Sequence, residues 1–374
     1  MKINFDCKYY VGYKPCRFHK QDGRLCENCG DYRKIEKKIL VVKLDALGDV
    51  LRTTSILPAL HEKYEGAAVT WITRKSALQL LANNPYIHRT YAVEANYLEF
   101  VLNETFDLGI CLDADPLSAS VLSLASCKKK LGFIVNPQGQ VLPRGEEAQK
   151  WFMMGVNDDL KKENRETYQQ HIYRICGLET DIRKPQIYID AESKAFAQRF
   201  ADIRELAKYN KIVGINTGGG NRWQFKKWIL DHYIQLIKLL KETYPQENDL
   251  GIILFGGPEE IEFNKTITDA VGELVTDAGC HNSLPQFAAL IGLTDVFFTP
   301  DSLGMHISIA LDKPTIVNVG PTSPWELDVY GNGEIIYNGQ LDCICCYKAT
   351  CDFEVNCMNT IEPERILASL ARYL

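Results

Sequence analysis

The sequence predicts an α/β protein made of two doubly wound domains, and three observations carry that prediction. Continuous apolar runs such as residues 38–43 (KILVVK) are typical of strands covered on both faces. Segments with helical spacing of apolar residues separate these runs, which favours parallel sheets with right-handed crossovers. The strand series restarts at residues 211–216, and 374 residues are enough for two domains of comparable size.

The individual elements follow from the same patterns. Apolar runs predict strands over residues 38–43, 68–73 and 106–112 in the first domain, and over 211–216, 250–255, 295–298 and 315–319 in the second. Residues 136–167 are polar and are predicted to form a loop or insertion, followed by a helix over 168–176 that ends at Gly177. Domains of this kind bind ligands outside the carboxyl ends of their strands, so we expect a cleft between them.

The chain therefore divides into four predicted segments. These are a Cys-rich N-terminal extension (1–36), a first Rossmann-like domain (37–185), a second Rossmann-like domain (186–335), and a Cys-rich segment with a C-terminal helix (336–374).

Charge and hydropathy narrow the class of partner. The net charge is -6, with lysines and arginines spread along the chain, so no nucleic-acid footprint is indicated. The N-terminus has no apolar signal core, and no stretch reaches the ~20 apolar residues that span a membrane. We expect a cytoplasmic protein, with peripheral contact at the cytoplasmic face of the inner membrane left open.

Three loops of the second domain carry candidate binding residues. The glycine-rich turn from Thr217 to Asn221, with Lys226 just beyond it, suits a phosphate group, although such turns also simply reverse a chain. Glu260 follows the next strand and suits ribose hydroxyls, or serves only the dipole of the following helix. Asp301 and Ser302 precede a helix, where they form an anion site or an N-cap.

Thirteen cysteines in a chain expected in the cytosol need another explanation than disulfides, and their clustering indicates metal binding. Four thiolates within 15 residues can surround one tetrahedral zinc or iron ion, and a looser second group lies at the N-terminus. Reduced free cysteines are the alternative for both groups. The C-terminal group is Cys343, Cys346, Cys351 and Cys357; the N-terminal group is Cys7, Cys16, Cys26 and Cys29.

Five segments occur in a characteristic order: residues 43–54 (KLDALGDVLRTT), 84–86 (NPY), 256–260 (GGPEE), 301–306 (DSLGMH) and 320–322 (GPT). Together they resemble the lipopolysaccharide heptosyltransferases of glycosyltransferase family 9. The resemblance implies that the first domain lies on the acceptor side and that the second binds the nucleotide sugar. The resemblance covers about residues 38 to 370. It implies a GT-B fold of two Rossmann-like domains facing a cleft, an inverting mechanism that requires no divalent metal, and usually ADP-heptose as donor.

The resemblance also implies roles for residues at matching positions. Asp49 would be the general base, although an N-cap role for its helix is the simpler alternative. In the family a glycine directly follows the Asp-Ser or Asp-Thr pair, whereas here Leu303 comes first and Gly304 second. The implied donor-binding residues are Thr217 and Lys226 on the diphosphate, Glu260 on the ribose, Asn282 and Ser283 on the adenine, and Asp301, Ser302, Leu303, Gly304 and His306 in one loop.

The sequence leaves two classes of function open. The first is transfer of a heptose or related sugar to a glycan, lipid-linked or protein acceptor. The second is a non-catalytic, metal- or redox-responsive nucleotide-binding protein on a GT-B scaffold, which the cysteine content and Leu303 favour. The presence of both Asp49 and Lys226 favours the first. Neither metal group has an evident catalytic position, so each would serve as a structural staple.

Overall fold

The computed structural model describes residues 2–95, 97–220, 224–246 and 249–374. Internal contacts divide the chain into two compact units. The first contains Met1–Ala46, Thr53–Met153 and His171–Arg183; the second contains Leu47–Arg52, Met154–Gln170 and Lys184–Leu374.

The first unit is built on a sheet that has six strands in the described part of the chain. Five strands are parallel, and the last strand runs antiparallel to its neighbour. The strands are β1 (Lys37–Val42), β2 (Ala67–Thr73), β3 (Ile87–Ala92), β4 (Thr105–Cys111), β5 (Ser126–Val135) and β6 (Val141–Arg144). Their order is β3-β2-β1-β4-β5-β6, which is the doubly wound order with a switch between β1 and β4.

The second unit repeats this architecture with a sheet whose six described strands are all parallel. They are β7 (Lys211–Asn216), β8 (Leu250–Phe255), β9 (Thr276–Asp277), β10 (Val296–Pro300), β11 (Thr315–Asn318) and β12 (Gly333–Ile336). The order is β12-β11-β10-β7-β8-β9, so β7 and β10 are neighbours at the switch point. The loops after these two strands therefore begin side by side, where such sheets place ligands.

Helices connect the strands and cover the sheets. In the first half of the chain they are α1 (Arg17–Asp22), α2 (Leu47–Thr53), α3 (Ile56–Lys63), α4 (Leu78–Leu81), α5 (Tyr97–Val101), α6 (Pro116–Leu124), α7 (Glu146–Val156), α8 (Asp158–Glu163) and α9 (Tyr168–Ile175). In the second half they are α10 (Ala191–Ile203), α11 (Leu230–Thr243), α12 (Ile261–Val271), α13 (Leu284–Ile291), α14 (Leu303–Ala310) and α15 (Pro363–Leu370).

The core of the second unit explains why its strands read as continuous apolar runs. The side chains of β7, β8 and β10 are buried almost throughout, and Trp228 and Tyr233 pack beside Phe298 with ring centroids 5.2 to 6.0 Å apart. The C-terminal helix α15 contributes Ile366 and Leu370 to the same core. Helices on both faces leave no polar side for these strands.

The α/β class and the two mostly parallel sheets agree with the sequence prediction, and one local prediction is wrong. Residues 136–167 are not a loop or insertion, because they contain β6, α7 and α8. The first part of this segment completes the sheet of the first unit as its antiparallel edge. The polar composition of this segment suggested a loop. An edge strand and exposed helices also contain few apolar residues, so composition does not distinguish them from a loop. No helix in the described residues is both long and apolar enough to cross a membrane.

Candidate active site

The loops after β7 and β10 are held together by the side chain of Asn216. Its Nδ2 lies 2.9 Å from Thr299 Oγ1 and 3.2 Å from Ser302 Oγ, and its Oδ1 accepts the Gly218 amide at 3.3 Å. Asn216 is only 2% exposed, so these bonds replace its contacts with water. The strand-end amide thus fixes the glycine turn against the Ser302 loop.

Asp301 and Lys226 form a largely buried ion pair in this region. Lys226 Nζ lies 2.7 Å from Asp301 Oδ2, and the Thr322 hydroxyl donates to the same oxygen at 2.8 Å. Burial alone would raise the pKa of Asp301, but Lys226 and Thr322 outweigh it and hold that pKa below its usual value. Asp301 is therefore ionised, and its charge offsets that of Lys226.

His306 lies one turn into α14 and carries no charge at neutral pH. Burial, together with the positive charge of Arg52, lowers the pKa of His306 to about 4. The charges of Arg52, Asp301, Asp49 and Lys226 all act on the ring. The structure therefore brings together four of the residues selected from sequence: Asp49, Lys226, Asp301 and His306.

Asp49 belongs to the same compact unit as these residues. It lies in the first turn of α2, and Arg52 NH2 contacts its Oδ1 at 2.8 Å. The side chain of Asp49 is 35% exposed whereas that of Arg52 is 10% exposed, so the carboxylate remains reachable for a ligand. Asp49 is the third residue of α2, so the N-cap role considered from the sequence is wrong; its charge in the first turn still suits the helix dipole.

A second group of polar residues surrounds Glu260 at the end of β8. Glu260 is 3% exposed; its Oε2 accepts the Gly257 amide at 3.0 Å and its Oε1 lies 2.5 Å from Lys227 Nζ. Thr217 is fully buried, with its hydroxyl 2.5 Å from Asn264 Oδ1 and 3.1 Å from the Phe255 carbonyl. The Thr217 side chain therefore already has partners within the fold.

The remaining predicted donor residues have local roles. Asn282 Nδ2 donates to the Ala278 and Gly279 carbonyls at 2.9 and 3.0 Å, and Ser283 forms a capping box with Gln286 at the start of α13. Asn221, from the glycine turn, lies outside the described residues.

The N-terminal end of α14 is tightly packed. Leu303 starts α14, and Ser302 is its N-cap without a side-chain capping bond. A Cβ atom at Gly304 would lie 2.9 Å from Asn216 Nδ2. The glycine that follows Leu303 is therefore the position that lets α14 approach Asn216.

Sequence reasoning missed three residues that organise this site. Arg52 follows Asp49 by three positions on a helix, a spacing that places both on one face and could have been noticed. Lys227 is adjacent to the selected Lys226, but nothing in the sequence assigns one lysine to Asp301 and the other to Glu260. Glu326, whose charge acts on Arg52, lies in an irregular segment without a pattern.

The C-terminal cysteines converge. All four of the predicted ligands line one cavity of about 20 Å³, the volume of roughly one water molecule or ion. Burial and the neighbouring thiols Cys346, Cys343 and Cys351 raise the pKa of Cys357 to about 12. The cysteines are free thiols, and among the described residues no three His, Cys, Asp or Glu side chains have the geometry of a metal site.

The N-terminal cysteines line a much wider cavity, of about 400 Å³. The segment from residue 2 to residue 36 contains the helix α1 and a short 3-10 turn at Cys26–Asn28, and none of its described residues is buried. It therefore has no apolar core of its own.

A family model and curated relatives identify the same protein family. A family model described as glycosyltransferase family 9 (heptosyltransferase) matches residues 98–356. The lipopolysaccharide core heptosyltransferase OpsX of Haemophilus influenzae is 22% identical over 318 residues, covering 80% of this chain and 84% of OpsX.

Solved structures show the same fold at low sequence identity. A glycosyl transferase family 9 protein from Veillonella parvula aligns with a TM-score of 0.72 at 16% identity, covering 90% of this chain and 97% of that one. The Escherichia coli ADP-heptose lipopolysaccharide heptosyltransferase II aligns with a TM-score of 0.66 at 19% identity, covering 90% and 98%.

Proposed function

Because the chain belongs to glycosyltransferase family 9, the heptosyltransferases, we propose that it is an inverting GT-B enzyme that transfers a heptose or related sugar. The donor is a nucleotide-diphosphate sugar, with ADP-heptose the first choice, and the acceptor is a hydroxyl of a glycan, lipid or protein. The gathering of Asp49, Lys226, Asp301 and His306 within one unit is the observation that carries this proposal.

The proposed step is a single displacement at the anomeric carbon. Asp49 takes the proton of the acceptor hydroxyl as its oxygen attacks that carbon. The bond from the anomeric carbon to the diphosphate oxygen breaks, and its electron pair leaves with the nucleoside diphosphate. Asp49 suits this role because its carboxyl group is partly exposed and is held in place by the contact with Arg52.

The donor would lie along the loops after β7, β8 and β10. Lys226 supplies positive charge to the leaving diphosphate, and backbone amides at Ser302, Leu303 and Gly304 supply oriented donors. Glu260 accepts the ribose hydroxyls, while backbone groups at Asn282 and Ser283 hold the base. Thr217, which the resemblance places on the diphosphate, already uses both donors within the fold: its hydroxyl bonds to Asn264 and its main-chain N–H donates to the Phe255 carbonyl at 3.1 Å. We therefore assign the diphosphate to Lys226 and to the amides of the Ser302 loop.

The named relatives favour one class of acceptor. OpsX is named for the lipopolysaccharide core, which favours a growing lipopolysaccharide-type glycan as acceptor. Such an acceptor would place the enzyme in the cytoplasm, at the inner face of the membrane. Lipid-linked and protein acceptors remain part of the proposal. The residues assigned to this site bind the donor or remove the proton, and none of them selects the acceptor.

The test is nucleoside diphosphate release from ADP-heptose, UDP-sugars and GDP-sugars, measured for the wild-type protein and for Asp49→Asn. Release from one donor that is lost in Asp49→Asn, while ADP binding measured by calorimetry is kept, supports the proposal and names the donor. Asp269→Asn, an exposed surface carboxylate on α12, is the matched control and should keep full activity. Binding without turnover by the wild-type protein with any donor and acceptor extract would instead favour the non-catalytic alternative.

We also propose that the C-terminal cysteines bind one structural zinc or iron ion. The four thiols line one cavity of about one ion's volume, and four thiolates are the ligand set of a tetrahedral zinc or iron site. The ion would cross-link residues 343–357 and take no part in transfer. Metal analysis should find about one zinc or iron per chain that is lost in Cys346→Ser with Cys357→Ser but kept in Cys176→Ala, a buried cysteine elsewhere.

The N-terminal cysteines are a second, separate proposal. A 35-residue segment without buried residues lacks the apolar core that would stabilise it, and small segments of this kind commonly use metals or disulfides. A second ion held by this group would supply that stabilisation. Loss of a second equivalent of metal in Cys26→Ser with Cys29→Ser would support the site; an unchanged metal content would refute it.

A further inference from the structure

Arg52 occupies a buried position directly behind the candidate base. It lies three residues after Asp49 on α2, and its NH2 group contacts Asp49 Oδ1 at 2.8 Å. Burial opposes the charge of Arg52, but Asp49, Tyr168 and Glu326 outweigh that effect and raise its pKa. The guanidinium is therefore permanently charged in a place where water does not screen it.

An aromatic ring fixes the plane of this guanidinium. The central carbon of Arg52 lies 3.6 Å from the centroid of the Tyr168 ring, which is close stacking for a cation over an aromatic face. Tyr168 in turn donates its main-chain N–H to the Glu326 carbonyl at 3.1 Å. The Asp49–Arg52 pair is thus held against α9 and the segment around Glu326 rather than free to rotate.

Glu326 is a second, partly buried carboxyl group that the proposed mechanism does not use. The Tyr347 hydroxyl donates to its Oε1 at 3.3 Å and accepts the Ser323 N–H at 3.1 Å. Burial raises the pKa of Glu326, whereas Arg52, Lys161 and the Tyr347 bond act in the opposite direction. A phenol and two cations thus stabilise the Glu326 carboxylate, although the proposed transfer step gives this residue no function.

We propose that Arg52 and Glu326 are positioning residues for sugar transfer: Arg52 orients the Asp49 carboxylate, and Glu326 offsets the positive charge of Arg52 so that Asp49 keeps its ability to accept a proton. This inference rests on the proposed role of Asp49 as base. Neither Arg52 nor Glu326 touches the substrate in this scheme, so both act through Asp49.

The charge arrangement gives the physical reason. A carboxylate paired with an arginine alone holds protons weakly, and a weak base is a poor general base. A second carboxylate near the same guanidinium offsets part of its positive charge, so the base feels a weaker positive potential. The charged and titratable groups that face this assembly from the surrounding elements are Asp49, Lys161, Tyr168, Lys226, Asp301, His306, Cys345 and Tyr347.

The pH dependence of kcat in Glu326→Gln tests the proposal. Glu326 has a raised pKa, so as the pH falls it takes up a proton while other carboxylates remain ionised, and the full charge of Arg52 then acts on Asp49. Wild-type kcat should therefore fall through this range. Glu326→Gln should be about tenfold slower at pH 8 and should approach the wild-type rate at low pH. A rate ratio that stays constant over the whole pH range, or an unchanged kcat at pH 8, would overturn the proposal.

Arg52→Gln provides the second arm, because Glu326 acts only through Arg52. Adding Glu326→Gln to Arg52→Gln should change neither kcat nor the shape of its pH profile. An equal loss in both backgrounds would show that Glu326 has a merely structural role. Should Glu326→Gln fail to fold, Tyr347→Phe replaces it: without the phenol donor Glu326 ionises less readily, so the fall in kcat should move to higher pH, and an unmoved profile would overturn the proposal.

The controls separate this inference from the proposed function. Glu334→Gln makes the same change at a β12 glutamate that pairs with Arg365 and Arg372, and it should leave the profile unchanged. Absence of transfer in the wild-type protein would defeat the proposed function itself. Normal wild-type transfer with parallel profiles in every variant would defeat only the positioning roles.

Discussion

The imidazole ring of His306 lies directly against the backbone of Gly48. A Cβ atom at position 48 would come within 2.8 Å of His306 Cδ2 and 3.3 Å of its Nε2. Glycine is therefore required at position 48 for space, and not for an unusual backbone angle. The contact joins the start of α2, which carries Asp49, to the first turns of α14, which carries the Asp301 loop at its N-terminus.

Gly48→Ala should displace His306 and the residues around it. Such overpacking costs about 1–3 kcal/mol of unfolding free energy, and we expect a loss of transfer activity of about tenfold or more. Thermal unfolding and kcat measure the two effects. Gly155→Ala is the control, because that helical glycine has open space around its Cβ position, and it should be neutral or slightly stabilising. A fully active Gly48→Ala variant would contradict the packing argument.

His306 should make stability dependent on pH. Its pKa is about 4 in the folded protein and about 6.5 when unfolded, so the unfolded chain binds the extra proton between these values. The contribution of neutral His306 to the free energy of unfolding is fully present above about pH 6.5. This contribution is lost as the pH falls towards 4, by at most about 3 kcal/mol. Urea midpoints at pH 7 and pH 5 should differ less in His306→Gln than in the wild type, whereas His281→Gln, at an exposed position, should behave like the wild type.

Lys227 and Lys226 should differ in what they do for the donor. Lys227→Ala leaves the buried Glu260 carboxylate unpaired, so we expect a loss of about 3 kcal/mol in stability and weaker ADP binding. Lys226→Ala should lower kcat more than it lowers ADP affinity, because its charge is needed most as the diphosphate leaves. Calorimetry with ADP and steady-state kinetics separate the two effects.

Lys265→Ala is the control for both lysine variants. Its ion pair with Asp269 is more than 60% exposed on both sides, so it should change neither stability nor kinetics measurably. Identical kinetic effects of Lys226→Ala and Lys227→Ala would contradict the separate assignments.

Gly304→Ala should disturb the junction between the β7 and β10 loops. The added methyl group would lie 2.9 Å from Asn216 Nδ2, the atom that reaches Ser302. We expect weaker donor binding, seen as a raised KM for the nucleotide sugar, with secondary structure unchanged by circular dichroism. An unchanged KM would mean that the Asn216–Ser302 link is not needed for donor binding.

The sequence by itself determined the α/β class and most of the strands. Runs such as 212–215 and 250–255 contain no polar side chain because helices cover both faces of their sheet, and an unbroken apolar run of this length predicts a buried strand. It also selected Asp49 and Asp301, because strand-end loops in such folds carry functional side chains, and the family resemblance added His306. It failed over residues 136–167, where an edge strand and exposed helices have the composition of a loop.

Only the tertiary structure decided which of these residues act together. The two lysines at 226 and 227 are neighbours in sequence, yet one pairs with Asp301 and the other with Glu260. Glu326 reaches the vicinity of Arg52 from a distant part of the chain, in a segment without regular structure. Pairing of charges depends on distances of a few ångströms and on burial, and neither is encoded in local spacing.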